Sequence, residues 1–243
     1  MILVRDIYKS FGDHEVLRGV SFDVRDKETL VMLGKSGSGK SVLLRMIIGL
    51  LKPDSGTIST DGSDIAAMSY EQLREERRKF GFLFQDAALF DSLTVGENIA
   101  LPLRQRKNIT EPAIKERVAY ALELVDLAGI EKKMPSTLSG GMKKRVGLAR
   151  AIAPNPLYML YDEPTTGLDV GTADEINSLM ADMRTRLGIT SIVVTHDIRS
   201  AFIVGDRFMI LERGRILMTG TRDDLENSTD AEIKKYINSS LSS

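Results

Sequence analysis

The chain has 243 residues, enough for one large domain or a core carrying one substantial insertion. Its 42% hydrophobic and 28% charged content argues against disorder, and 33 Lys+Arg against 34 Asp+Glu leave a net charge of -1, so no overall field draws it to nucleic acid or anionic lipid. With Cys 0 it has no disulfide, thiolate metal site or cysteine nucleophile, which fits a reducing compartment; with neither a signal-peptide pattern nor an apolar run of about 20 residues, it is expected to be soluble and to reach a membrane only through a partner.

Short β-like runs open the chain, at Ile2 to Val4, Leu17 to Val24 and Thr29 to Gly34. Val42, Leu43, Met46, Ile47 and Leu50 then fall on one helix face, with Gly49 and Pro53 as stop signals. A Gly-rich hairpin, "SGTISTDG", precedes the charged helical stretch "SYEQLREERRKF", whose cluster Arg74, Glu75, Glu76, Arg77, Arg78 and Lys79 reads as a solvated face rather than a binding patch. From Asp91 to Ala153 the pattern is helical, with Val118, Leu122 and Val125 among charged residues. Strands return at Leu157 to Glu163 and Thr190 to Asp197, separated by a helix over Ala173 to Leu187. This alternation predicts a mainly parallel sheet covered on both faces, interrupted by a helical insertion. The tail "TDAEIKKYINSSLSS" is weakly amphipathic through Ile233, Tyr236 and Ile237, and packing on its own body or on a partner would satisfy it equally.

"GKSGSGKS" matches G-x-x-x-x-G-K-[ST] between a strand and a helix, the context that supports a phosphate loop. Gly34, Lys35, Ser36, Gly37, Ser38, Gly39, Lys40 and Ser41, with Val42 opening the helix, are expected to bind a nucleoside triphosphate. Glycines let backbone N–H groups turn around phosphate oxygens at the positive end of a helix. Lys40 would reach the β- and γ-phosphates, and Ser41 would ligate Mg²⁺. Asp162, ending the apolar strand "YMLYD", lies where open α/β sheets place ligands and is the second expected Mg²⁺ ligand. Glu163 is then free to orient and deprotonate the attacking water. His196, also at a strand end, could contact the γ-phosphate and hold Glu163 in register. "TLSGGMKKR", Thr137 to Arg145, has the look of a second anion-binding helix start, although "SGG" alone also suits an ordinary N-cap.

Together these residues resemble the ATP-binding cassette (ABC) family over nearly the whole chain. That resemblance implies a P-loop NTPase (RecA-like) α/β fold, with a mainly parallel core, an N-terminal antiparallel β subdomain and an inserted α-helical subdomain. It divides the single domain 1–243 into a nucleotide-binding core (1–85 and 154–222), a helical signature subdomain (86–153) and a short tail (223–243). "LSGG" looks like the family signature, so Ser139, Gly140 and Gly141 are expected to close over the ATP held by the other subunit of a head-to-tail homodimer. Phe11 is similar to the adenine-stacking aromatic, with a core aromatic as the other reading and Tyr8 as the alternate. Gln85 looks like the glutamine that reaches Mg²⁺ and the attacking water. "TGLD", ending at Asp169, is similar to the loop running along the dimer interface, and His196 takes the switch-histidine position.

One departure stands out: Met142 occupies a position usually held by Gln. "LSGGM", with "LFQDAALFDSLTVGENIALPLR", resembles the ATPase subunits of Mla/Mce-type lipid transporters. The implied partners are integral membrane permease subunits and an Mce-type lipid-binding subunit, with no nucleic acid, at the cytoplasmic face of the inner membrane. Leu89 and Phe90 are the candidate docking residues, or else fill the core between subdomains.

Overall fold

The computed structural model describes residues 1–106 and 109–241, so positions 107–108 and 242–243 lie outside the described residues. Six strands form the central sheet: β3 (Thr29–Leu33), β6 (Phe80–Leu83), β7 (Tyr158–Asp162), β8 (Thr190–Thr195), β9 (Arg207–Glu212) and β10 (Arg215–Gly220), in the order β10-β9-β3-β8-β7-β6. All neighbours are parallel except β9 and β10. Strand residues alternate between faces, and here both faces are apolar. Val31, Leu33, Met159, Tyr161, Val193, Phe208 and Ile210 join one core; Leu30, Met32, Tyr158, Leu160, Ile192, Val194, Met209 and Leu211 join the other. Burial on both sides explains the continuous apolar runs in these strands.

The second sheet is antiparallel, with order β2-β1-β4-β5 from β1 (Ile2–Phe11), β2 (His14–Val24), β4 (Ser55–Thr60) and β5 (Ser63–Asp64). It covers one core together with α1 (Lys40–Ile47). Helices α3 (Val95–Arg104), α4 (Glu111–Glu123), α5 (Gly140–Ile152), α6 (Val170–Leu187) and α7 (Ile198–Val204) cover the other. The tail forms α9 (Ala231–Leu241), after the short α8 (Arg222–Glu226), and buries Ile233, Tyr236 and Ile237 in that core. Its apolar face therefore serves the chain's own body.

The charged helix α2 (Tyr70–Arg77) departs from the expected solvated face. Arg77 donates to the carbonyls of Ile48 and Gly49 at 2.9 and 2.8 Å, just past the end of α1. A cation there meets orphan carbonyls and the negative end of the dipole. Buried Glu76 accepts from Thr60 at 2.6 Å and pairs with Lys79 at 2.9 Å.

The loop entering α3 is held by fully buried Asn98. Its Oδ1 accepts from Phe90 N–H at 2.8 Å, and its Nδ2 lies 3.1, 3.1 and 3.0 Å from the carbonyls of Phe90, Leu93 and Thr94. Asn98→Ala would strand these groups, at about 1–3 kcal/mol. A fall in Tm of about 3–10 °C is expected by calorimetry; an unchanged Tm would show that the loop does not depend on this side chain.

Candidate functional site

The loop between β3 and α1 folds as it does because two positions take conformations that favour glycine: Gly37 at φ 79 and Gly39 at φ 106. A Cβ on Gly39 would also lie 2.6 Å from Leu17 Cδ2, so the loop can press against β2 only with glycine there. Gly39 gives α1 no side-chain cap, and first-turn amides have no partner within their own helix. Ser38 Oγ is buried without a hydrogen-bond partner. An uncapped helix start beside an orphaned hydroxyl is a fit for phosphate oxygens. Buried Lys40 donates to the carbonyls of Gly34 and Lys35 at 2.5 and 3.1 Å and lies 3.9 Å from Glu163 Oε1. Burial lowers its pKa, while the Glu163 and Asp162 carboxylates oppose that shift.

A cavity of about 490 Å³ opens over this loop. Ser36, Gly37, Ser38, Gly39, Lys40, Ser41 and Val42 line it, with Phe11, Gln85, Glu163 and His196, so the structure gathers these residues from five separate segments. Ser41 Oγ donates to Asp162 Oδ1 at 2.9 Å. Burial raises the pKa of Asp162, the Ser41 hydrogen bond opposes that shift, and neighbouring Glu163 adds to it. A hydroxyl beside a carboxylate is a hard-oxygen pair suited to Mg²⁺, which is commonly held by one or two carboxylates plus substrate phosphates.

Glu163 stands at φ 50, a conformation costing a non-glycine residue on the order of 1–3 kcal/mol. Its N–H donates to Val194 O at 2.9 Å, tying the strand end to β8. Its Oε2 accepts from Thr166 Oγ1 at 3.0 Å and lies 2.9 Å from His196 Nδ1. The expected Glu163–His196 pair is thus present. Thr166 was not foreseen as a carboxylate partner, although it lies in the "TGLD" segment.

Phe11 is 50% exposed at the cavity wall, so it is not a core aromatic; Tyr8 instead packs over Gly19 and does not line the cavity. The signature residues lie elsewhere. Ser139 Oγ accepts from Met142 N–H at 3.2 Å and caps α5, while Gly140 and Gly141 face Leu168 and Thr172 of the same chain. Asp169 caps α6, accepting from Thr172 N–H at 3.0 Å.

Two of the three cations in "MKKR" do not serve the helix start. Arg145 donates to Val125 O at 3.1 Å and Glu175 at 2.6 Å. Lys144 is buried and donates to the carbonyls of Gln85 and Glu163. Burial lowers its pKa, against the pull of Asp86, Glu163 and Asp162.

A second groove, about 350 Å³, is lined by Phe80, Phe82, Phe84, Phe90, Pro102 and Arg150 among others. Phe90 is exposed there, whereas Leu89 packs against the core. The two residues read together in the sequence thus have different environments.

The ABC transporter family model matches residues 17–166. The chain is 41% identical to the probable ribonucleotide transport ATP-binding protein mkl of Mycobacterium leprae, over 98% of this chain and 68% of that one. It is 40% identical to the methionine import ATP-binding protein MetN of Caulobacter vibrioides, over 93% and 68%. It is 36% identical to the intermembrane phospholipid transport system ATP-binding protein MlaF of Haemophilus influenzae, over 98% and 90%. The ATP-binding cassette MJ0796, solved as a dimer in a post-hydrolysis state bound to ADP and Pi, superposes with a TM-score of 0.83 at 32% identity, covering 91% of this chain and 98% of that one. The chain belongs to the ABC transporter family, as one of its ATP-hydrolysing cassettes.

Proposed function

We propose that this cassette is the motor subunit of a transporter that moves phospholipid or a related lipid, working with a separate membrane permease. The observation that carries the ATPase part is the single cavity bringing Lys40, Ser41, Glu163 and His196 together. Lys40 and the loop amides bind the phosphates, and Phe11 stacks on the base. Ser41, Asp162 and Gln85 would hold Mg²⁺, which when bound screens the phosphate charge. Glu163 orients the attacking water and takes its proton, with His196 and Thr166 fixing the carboxylate.

Two copies are proposed to pair head to tail, each offering Ser139, Gly140, Gly141 and the Asp169 loop to the nucleotide held by its neighbour. The dimeric arrangement of MJ0796 supports this reading. No helix among the described residues is long and apolar enough to cross a membrane. The cassette is therefore proposed to sit peripherally at the cytoplasmic face of the inner membrane, with the phenylalanine-lined groove receiving the permease. The lipid cargo rests on "LSGGM", on the stretch from Leu83 to Arg104 and on the similarity to MlaF. An Mce-type subunit would then present the lipid. The second reading, another cargo, is favoured by the identity to mkl and MetN.

Lys40→Ala should abolish nucleotide binding in a fluorescent ATP titration. Glu163→Gln should keep ATP affinity, accumulate an ATP-bound dimer in gel filtration and lower turnover by about 10²-fold or more; wild-type turnover in that variant would sink the assignment of Glu163. Mild-detergent extraction of the tagged protein, with mass spectrometry of what co-purifies, tests the cargo. A permease with an Mce-type subunit and lipid supports the lipid reading, and a different permease without lipid moves it to the second.

A further inference from the structure

Lys144 has no part in the reading above, and its surroundings are unusual for a lysine. The side chain is only 5% exposed, although lysine is among the residues least often buried. It projects from α5, the helix that begins at the signature, to the backbone of two residues far apart in sequence. One is Gln85, whose carbonyl accepts from Nζ; the other is Glu163, whose carbonyl lies 3.3 Å from Nζ. The same helix face continues the contact. Gly147 lies close to Ala87, where an added Cβ would come within 3.0 Å of the Ala87 Cβ, and Arg150 donates to the carbonyls of Ala88 and Ala87 at 2.7 and 2.6 Å. Positions three apart recur on one face of a helix, so three consecutive positions of that face hold the loop from Gln85 to Ala88. The loop needs holding, because Ala87 at φ 58 and Ala88 at φ 47 are both left-handed without being glycine.

We propose that Lys144 is a positioning residue for ATP hydrolysis: its ammonium ties the backbone of Gln85 to that of Glu163, so that the signature helix, the Gln85 loop and the strand end bearing Glu163 keep one register. Only Lys144, among the residues on this helix face, touches both loops. A neutral apolar side chain of the same length would fill the space but bind neither carbonyl. A cation also suits the place, since Asp86, Asp162 and Glu163 all act on it electrostatically. The inference rests on the roles proposed for Gln85 and Glu163, and its test includes readouts independent of them.

The experiment uses the full chain carrying Lys144→Met, which keeps the unbranched stem out to Cε and removes the donors. The parent has Cys 0, so cysteines placed at exposed Glu116 on α4 and Asp182 on α6 accept spin labels selectively. The expected result has three parts: ATP affinity within about threefold of the parent, turnover lowered at least tenfold with KM nearly unchanged, and a broadened distance distribution between the labels. Lys144→Arg, which keeps charge and several donors, should recover turnover to within about threefold. Should Lys144→Met fail to fold, Lys144→Gln, whose polar end is one atom shorter and too short to span both carbonyls, is read by the same criteria. Turnover within twofold of the parent in the folded variant overturns the proposal. So does a loss of ATP affinity and Tm in step with the rate, which would make Lys144 a structural bolt only. Failure of the Glu163 assignment would show separately, as retained turnover in Glu163→Gln, and would leave the label distances untouched.

Discussion

The parallel register of four central strands is the constraint on which the site depends. Leu33 pairs with Thr195, Leu83 with Tyr161, and Asp162 with Val194, so the strands end at nearly one level. Parallel strands run in one direction, so their carboxyl ends share one edge of the sheet, and whatever follows each strand meets there. The phosphate loop follows β3, Gln85 follows β6, Glu163 follows β7 and His196 follows β8. No single segment contains the chemistry. A one-residue slip between β7 and β8 would move Glu163 relative to His196 and would also turn apolar residues from one core to the other, so the two buried faces of the sheet enforce the geometry of the site.

Around this edge the protein keeps its charges in place by pairing them with backbone as much as with one another. Lys40 rests on the carbonyls of its own loop, Lys144 on those of Gln85 and Glu163, and Arg150 on two more carbonyls of the Gln85 loop. Carbonyl partners leave the carboxylates of Asp162 and Glu163 free for hydroxyl and imidazole contacts. A buried cation satisfied only by a carboxylate would neutralise the group expected to act as base. Satisfied by carbonyls, it keeps the site's carboxylates available while holding the loops that carry them.

The parts legible in the sequence were those in which local chemistry and local structure coincide. The phosphate loop depends on glycine at positive φ within eight residues, and the strands β3, β7 and β8 announce themselves by apolar runs. Less legible were elements whose character comes from a distant partner. β6 is only four residues long and becomes a strand through pairing with β7, while β9 and β10 complete the sheet from a region left unassigned. The same limit explains the cations. The order "MKKR" puts three charges near one end of α5, but helical geometry sends Lys144 inward and Arg145 toward α6. Arg77 likewise looked solvated until the end of α1 came beside it.

The two glycine-rich helix starts differ in a way that bears on how a dimer of this cassette would work. α1 begins at Gly39 with no side-chain cap, in a loop whose backbone is already shaped by Gly37 and Gly39. Its amides need no rearrangement to receive an anion. α5 begins at Ser139, whose hydroxyl accepts from Met142 N–H and so answers one of the orphan donors within the chain. A phosphate arriving at α5 must compete with that cap for the same amides or use those of Gly140 and Gly141, so this end is the weaker of the two by construction. On the proposed reading, ATP binds first to the loop before α1 of one copy, and the capped α5 of the other closes over it only when the copies are already aligned. A weak second contact of this kind allows the pair to part once the γ-phosphate has left, as a motor that must reset requires.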